Sequence, residues 1–258
     1  MVVENKPGAS TIIGASYVAK SKPDGHTLLV TSAPHTNNPS LMSNLPFDTV
    51  NDFSPICLLA KSPFVLIVKN DSPIQNINDF VELAKKKTLT YGSSGNGTND
   101  HLSTEMVSSI YQITLTHTPY KGTGQALLDL LGGHIDIMMC NIVGAVSALK
   151  SGKVRGIVVT TAARSSIFPA LPTVQEVTGK PFDVSAWTGI LAPAGTSKAV
   201  IERLNQDIRL SLKDGKVQEA MQSAGAELMG GSAEDFGLFI KDEIRKAQAI
   251  IKEKNIKI

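Results

Sequence analysis

The 258 residues hold only two cysteines, one tryptophan and four tyrosines. Cys57 and Cys140 stand far apart, with no CxxC spacing and no His-rich partner pattern. That argues against a zinc site and leaves a disulfide unsupported. Sparse aromatics and a formal net charge of +2 supply neither a stacking platform nor a basic stripe, which excludes nucleic acid as a partner. No apolar run reaches the roughly 18 residues that a membrane span needs, and no charged-then-apolar leader follows Met1. Internal repeats and low-complexity tracts are missing too. What is present, 42% hydrophobic and 19% charged residues, describes an ordinary globular chain. It has room for one large α/β domain or two lobes of ~100–150 residues.

The stretch around which the rest is arranged is LTYGSSGNGTNDHLSTE, residues 89–105. Leu89, Thr90 and Tyr91 read as a short strand that dissolves into Gly92-Ser93-Ser94-Gly95-Asn96-Gly97. Thr98-Asn99-Asp100 then reads as a helix start, with Leu102, Met106, Val107 and Ile110 at helical spacing. Glycines let a backbone approach a ligand, and a helix's first turn offers N–H groups with no helical acceptor. Those donors and the helix dipole favour anions. Ser93, Ser94, Asn96, Thr98 and Asn99 add neutral side-chain donors. The glycine spacing is neither the dinucleotide fingerprint nor a P-loop. An ordinary strand-to-helix turn would use the same residues for its own sake. Asp100 would repel a bound anion unless it points away.

Taken in order, Met1-Val2-Val3 is at most the end of a strand, and Ile12 to Lys20 is a short helix. His26 to Ser32 reads as a buried strand, followed by a polar loop, Ala33 to Pro39. Phe53 to Leu59 and Phe64 to Lys69 read as separate apolar runs, the second a crossover strand. A βαβαβ rhythm then runs from about Asp71 to Val184 and predicts a parallel sheet with right-handed crossovers. Its parts are a helix at 78–87, the central stretch, a strand at 114–118, a helix ended by Gly132-Gly133, and strands at 135–139 and 156–160. Trp187 to Leu191 is a further strand. Amphipathic helices follow at 200–212, 217–226 and 233–254, the last capped by Ser232 and Asp235. A helical tail returning after a βαβ block implies one lobe interrupted by another, with lobe 1 at 1–69 and 188–258 and lobe 2 at 70–187, joined as a hinged clamp.

Several motifs occur together in a telling order: ENKPGAS (4–10), KPDGHTLLV (22–30), NPSL (38–41), YGSSGNGTNDHLSTE (91–105), THTPYKGTGQALLDLLGGHIDIMM (116–139), LPTVQEV (171–177) and WTGILAPAGTS (187–197). They resemble the Bug (Bordetella uptake gene) family of TctC-like periplasmic receptors for tripartite tricarboxylate transporters. The resemblance covers essentially the whole chain. It implies a type II periplasmic-binding-protein fold, an α/β Venus flytrap of two lobes around a cleft. It also implies a small carboxylate ligand (a di- or tricarboxylate, acidic amino acid or aromatic acid), delivery to a membrane permease, a monomer, and no cofactor or metal. The family's cleft loops fall on Ser32 and His35; on Ser93, Asn96, Thr98 and Asn99; on Lys121, Gly122 and Thr123; on Asn141; and on Trp187. Cys140 stands where the family usually has Asp. Family members carry a strand and helix before the VVEN segment, with a loop that holds one ligand carboxylate. That unit and a signal peptide are absent from this sequence, so the first lobe is expected to be truncated.

The histidines are scattered. His117 reads as a strand residue and His134 as one following a helix cap, so both are expected to be structural. His35 and His101 lie at loop and helix-start positions, where a ligand contact is one reading. A Ser94–His101–Asp100 triad is imaginable, without the nucleophile elbow that usually presents such a serine. Two rivals to a receptor remain: an enzyme using His35 or His101 as base on a small carboxylate, and a cytosolic ligand-sensing module.

Overall fold

The computed structural model describes residues 2–257. Its strands in chain order are β1 (Leu29–Ser32), β2 (Phe53–Lys69), β3 (Leu89–Ser93), β4 (Leu115–Pro119), β5 (Ile137–Asn141), β6 (Val154–Val159), β7 (Ser185–Pro193) and β8 (Glu227–Gly230). The helices are α1 (Ile12–Ala19), α2 (Pro34–Leu41), α3 (Ile77–Lys86), α4 (Asn99–Tyr111), α5 (Thr123–Gly132), α6 (Ile142–Lys150), α7 (Val174–Thr178), α8 (Lys198–Ser211), α9 (Gly215–Ser223) and α10 (Ala233–Glu253).

Internal contacts divide the chain into two units. One comprises Met1–Lys61, Trp187–Ala220 and Glu227–Ile258, and the other Ser62–Ala186 with Met221–Ala226. The first junction falls inside β2, eight residues before the boundary expected at 69, because Phe64 to Val68 already pair with β5. Phe53 to Lys69 is one continuous strand rather than two runs. Pro63, which has no N–H to give a ladder, lies between the stretch paired with β8 and the stretch paired with β5.

In the first unit the strands lie in the order β1–β7–β2–β8, with β1 antiparallel to β7 and β8 antiparallel to β2. Phe53, Leu58, Trp187, Leu191, Phe236 and Ile240 form its main core, drawing α10 onto the sheet. Two expectations fail here, and one strand was not foreseen. Val2 and Val3 are exposed and lie in no strand, while Met1 lies outside the described residues. The expected loop at 33–39 is helical: α2 starts at Pro34, whose fixed φ suits a first turn. Its polar residues are buried rather than solvated, with Asn38 Nδ2 donating to the Ser10 carbonyl at 2.9 Å. Finally, β8 carries no apolar alternation, so nothing in its sequence announces a strand.

The second unit's sheet runs β6–β2–β5–β3–β4. Strand β3 pairs in parallel with β4 and β5, as the rhythm predicts, but β2 is antiparallel to both β5 and β6. The sheet is therefore mixed, because β6 returns beyond β2 and leaves that strand between two that run against it. Both faces are covered, which explains the nearly unbroken apolar run from Phe64 to Val68. Phe64, Leu66 and Val68 face a core shared with Phe80 of α3 and Val107 of α4. Val65 and Ile67 face the opposite core, with Ala126 and Leu130 of α5 and Ala145 of α6.

Candidate functional site

Because β3, β4 and β5 run in one direction as neighbours, their carboxyl ends lie at one edge of the second unit. Each strand leads directly into a helix there: β3 into α4, β4 into α5, β5 into α6. That is where α/β sheets collect ligands. The three turns touch. Tyr120 N–H donates to the Ser93 carbonyl at 3.0 Å. A Cβ at Gly95 would sit 3.6 Å from the Tyr120 carbonyl oxygen, and one at Gly144 would sit 3.3 Å from Thr123 Cγ2 and 3.6 Å from Cys140 Sγ.

The β3–α4 loop is held by its own side chains. Gly95 at φ 144° and Gly97 at φ 70° take conformations that L residues rarely adopt. The buried Ser93 hydroxyl bonds the Gly95 carbonyl at 3.0 Å and accepts the Gly95 N–H at 3.2 Å. Thr98 Oγ1 donates to that same carbonyl at 2.7 Å. The hydroxyl is therefore turned into the loop, and Thr98 makes no side-chain cap on α4. Asp100, in the first turn of α4, reaches back into the loop: its two oxygens accept from Ser94 N–H at 2.6 Å and Ser94 Oγ at 2.9 Å.

Helix α5 starts in the same manner. Gly122 at φ 145° precedes Thr123 and offers no side chain to cap it. Lys121 is exposed, and its N–H donates to Gln125 Oε1 at 3.3 Å. Helix α6 differs, since Asn141 Oδ1 accepts from Val143 N–H at 2.9 Å and its Nδ2 donates to Ser62 Oγ at 3.0 Å. Cys140 is buried, with its thiol pushed up to about 12 mainly by that burial. Asn96 is exposed at the loop tip, and Asn99 Nδ2 donates to the Ser185 carbonyl at 3.3 Å.

Eight of the eleven expected ligand residues thus lie in this edge: Ser93, Asn96, Thr98, Asn99, Lys121, Gly122, Thr123 and Asn141. Ser32, His35 and Trp187 belong to the first unit. Ser32 is half-buried at the end of β1, opposite Thr188. His35 is 2% exposed. Its ring lies 4.9 Å from Phe53, and its Nε2 sits 3.1 Å from the Thr49 carbonyl oxygen. Burial lowers its pKa to about 4, which keeps the ring neutral. Trp187 is packed edge-on against Phe236 and Phe239. The surroundings of His35 and Trp187 are those of core residues.

The imagined triad does not form. Ser94 bonds Asp100 directly, and His101 Nδ1 accepts the Gly97 N–H at 3.0 Å. What the sequence did not reveal is that His101 and His117, one on α4 and one on β4, stack ring on ring at 3.8 Å. Their separation in sequence hides the pair, and only the parallel pairing of β3 with β4 brings them together.

The chain matches the tripartite tricarboxylate transporter family receptor over residues 1–256. It belongs to that family. BugT of Bordetella pertussis is 30% identical over 262 residues, which covers 100% of this chain and 80% of BugT. The Rhodopseudomonas palustris protein Rpa4515, solved with adipate, is 30% identical at a TM-score of 0.87, covering 99% of this chain and 87% of that one. MatC from the same organism, solved with bound malate, is 29% identical at a TM-score of 0.80, covering 95% and 85%. The mixed α/β architecture of this receptor is therefore that of the two-lobe TctC and Bug binding proteins.

Proposed function

We propose that this receptor captures a small di- or tricarboxylate in the periplasm and passes it, as a monomer and without chemical change, to a tripartite transporter permease. The observation that carries the reading is the pair of helix N-termini, α4 and α5, that open side by side without side-chain caps after glycine loops. Each leaves first-turn N–H groups and the positive end of a helix dipole for an outside acceptor. Asn96 and Thr123 add neutral donors, with Lys121 as the nearby cation. Donors of this kind hold a carboxylate without a buried ion pair, which suits a ligand that must be released again. Adipate and malate bound to the two relatives are the chemistry such a site would take.

The test is a thermal-shift and calorimetric panel of di- and tricarboxylates, acidic amino acids and aromatic acids. An acid at a hundredfold excess over its Kd adds about 2.7 kcal/mol of stability. At about 2–4 °C per kcal/mol, its melting temperature should rise by about 5–11 °C. Turnover of any acid in the panel, or no shift with any of them, overturns the receptor reading.

A further inference from the structure

Beneath the Gly95–Gly97 turn lies a cluster of titratable groups that ligand capture does not itself use. The rings of His101 and His117 are 20° from parallel at 3.8 Å, and His117 stacks in turn on Tyr91 at 4.8 Å. Two bonds tie the stack to the loop. Gly97 N–H donates to His101 Nδ1 at 3.0 Å, so that nitrogen is the acceptor and the ring proton belongs on Nε2. His117 Nε2 lies 2.6 Å from Ser93 Oγ, the hydroxyl that also bonds both polar groups of Gly95.

The groups facing the stack are Tyr91 from β3 and Glu105 and Asp100 from α4. Tyr91 Oη donates to Glu105 Oε1 at 2.6 Å, and Ser94 occupies Asp100. Burial, and then the charge of the neighbouring His117, outweigh Glu105 and hold His101 down to about 4. Burial likewise lowers His117. At neutral pH both rings are therefore neutral, with His101 Nδ1 accepting from Gly97.

We propose that His101 is a positioning residue of the ligand loop, its neutral Nδ1 holding Gly97 in place, and that protonation of the stacked pair releases the Gly95–Gly97 turn. The ligand part of this rests on the receptor reading above. An imidazolium carries N–H on both nitrogens and cannot accept from Gly97. Two stacked cations also repel. The two rings are not equivalent. Protonated His117 keeps its contact, because Nε2 donates to Ser93 Oγ, whose own proton stays on the Gly95 carbonyl. His101 has no such exchange, so it is the sensitive member.

The experiment follows the Gly97 amide and the imidazole resonances of the full chain by NMR from pH 7 to pH 4 without ligand. It compares wild type with His101→Gln, whose side-chain oxygen accepts without titrating, and with His101→Phe, which cannot accept. The wild-type Gly97 amide should move with the His101 titration. In His101→Gln it should stay level, and in His101→Phe it should already be displaced at pH 7. Adipate affinity at pH 7 should fall at least tenfold from His101→Gln to His101→Phe. If the Gly97 amide ignores pH in the wild type, or titrates equally in His101→Gln, the positioning role is overturned whatever the protein binds. If no acid of the panel binds any variant while the amide behaves as stated, the receptor reading falls and the positioning role stands.

Discussion

The helices of this receptor start in two ways. At α3, Asn76 Oδ1 accepts from Asn78 and Asp79 N–H, while α7 and α10 open with full capping boxes and α8 with Ser197. At α4 and α5 no side chain closes the first turn. A missing cap costs about 1 kcal/mol. The absence alone does not mark a site, since α1 and α2 also start without a side-chain cap. The difference lies in what surrounds the start: α4 and α5 follow glycine loops at the carboxyl ends of adjacent parallel strands. The starts of α3, α7, α8 and α10 are closed by the chain itself. On the proposed reading, those of α4 and α5 are left for an acceptor from outside.

Closing an open start should therefore exchange binding for stability. Thr98→Asp places an N-cap carboxylate at α4, which favours the helix by up to about 1 kcal/mol but forfeits the Thr98 bond to the Gly95 carbonyl. The same carboxylate faces any anion held by the first turn. Repulsion between unit charges 4 Å apart is about 4 kcal/mol at an effective dielectric constant of 20. Calorimetry should show carboxylate affinity falling by about a hundredfold or more, with the melting temperature level or raised. A variant that still binds tightly would mean that α4 is not the anion-holding start.

The floor of the open edge can be broken without touching its donors. A Cβ at Gly92 would sit 2.5 Å from Ile135 Cδ1, 3.2 Å from Tyr120 and 3.3 Å from Ala126. Ile135 can swing away, whereas Tyr120 is held by its bond to Asp129 at 2.7 Å. Gly92→Ala should cost about 1–3 kcal/mol in denaturant unfolding, as overpacked cores do. The contrast is Gly122, where no atom lies within 4 Å of a Cβ and only its φ of 145° resists substitution.

Much of this edge was legible in the chain because local rules govern it. Gly133 takes the left-handed conformation that a helix-ending glycine invites, Ser232 and Asp235 form the expected box, and the strand–loop–helix order of 89–111 is as read. What escaped depends on tertiary context. Residues 33–39 look like a loop because Asn and Pro dominate, yet burial against Ser10 and the aromatic cluster of Phe47 and Phe53 draws them into α2. The antiparallel course of β2 between β5 and β6 has no signature in either apolar run. Ser93 reads as an outward donor from its type alone, whereas its partners, Gly95 and His117, turn it inward.

The smallest effect should come from opening a closed start. In α3, Asn76 Oδ1 receives Asn78 N–H at 2.9 Å and Asp79 N–H at 3.1 Å, while Asn76 Nδ2 donates to Asp79 Oδ2 at 3.1 Å. Asn76→Ala removes all three and leaves two exposed amides to water, so about 1 kcal/mol of stability should be lost. Carboxylate affinity should not change, because an uncapped α3 lacks the glycine loop and the neighbouring open helix. The double variant with Thr98→Asp should show additive stability changes, as sites with no shared partner do. If Asn76→Ala instead weakened binding as much as stability, the two kinds of helix start would differ in degree only. An uncapped first turn would then answer to the fold as a whole rather than to the ligand.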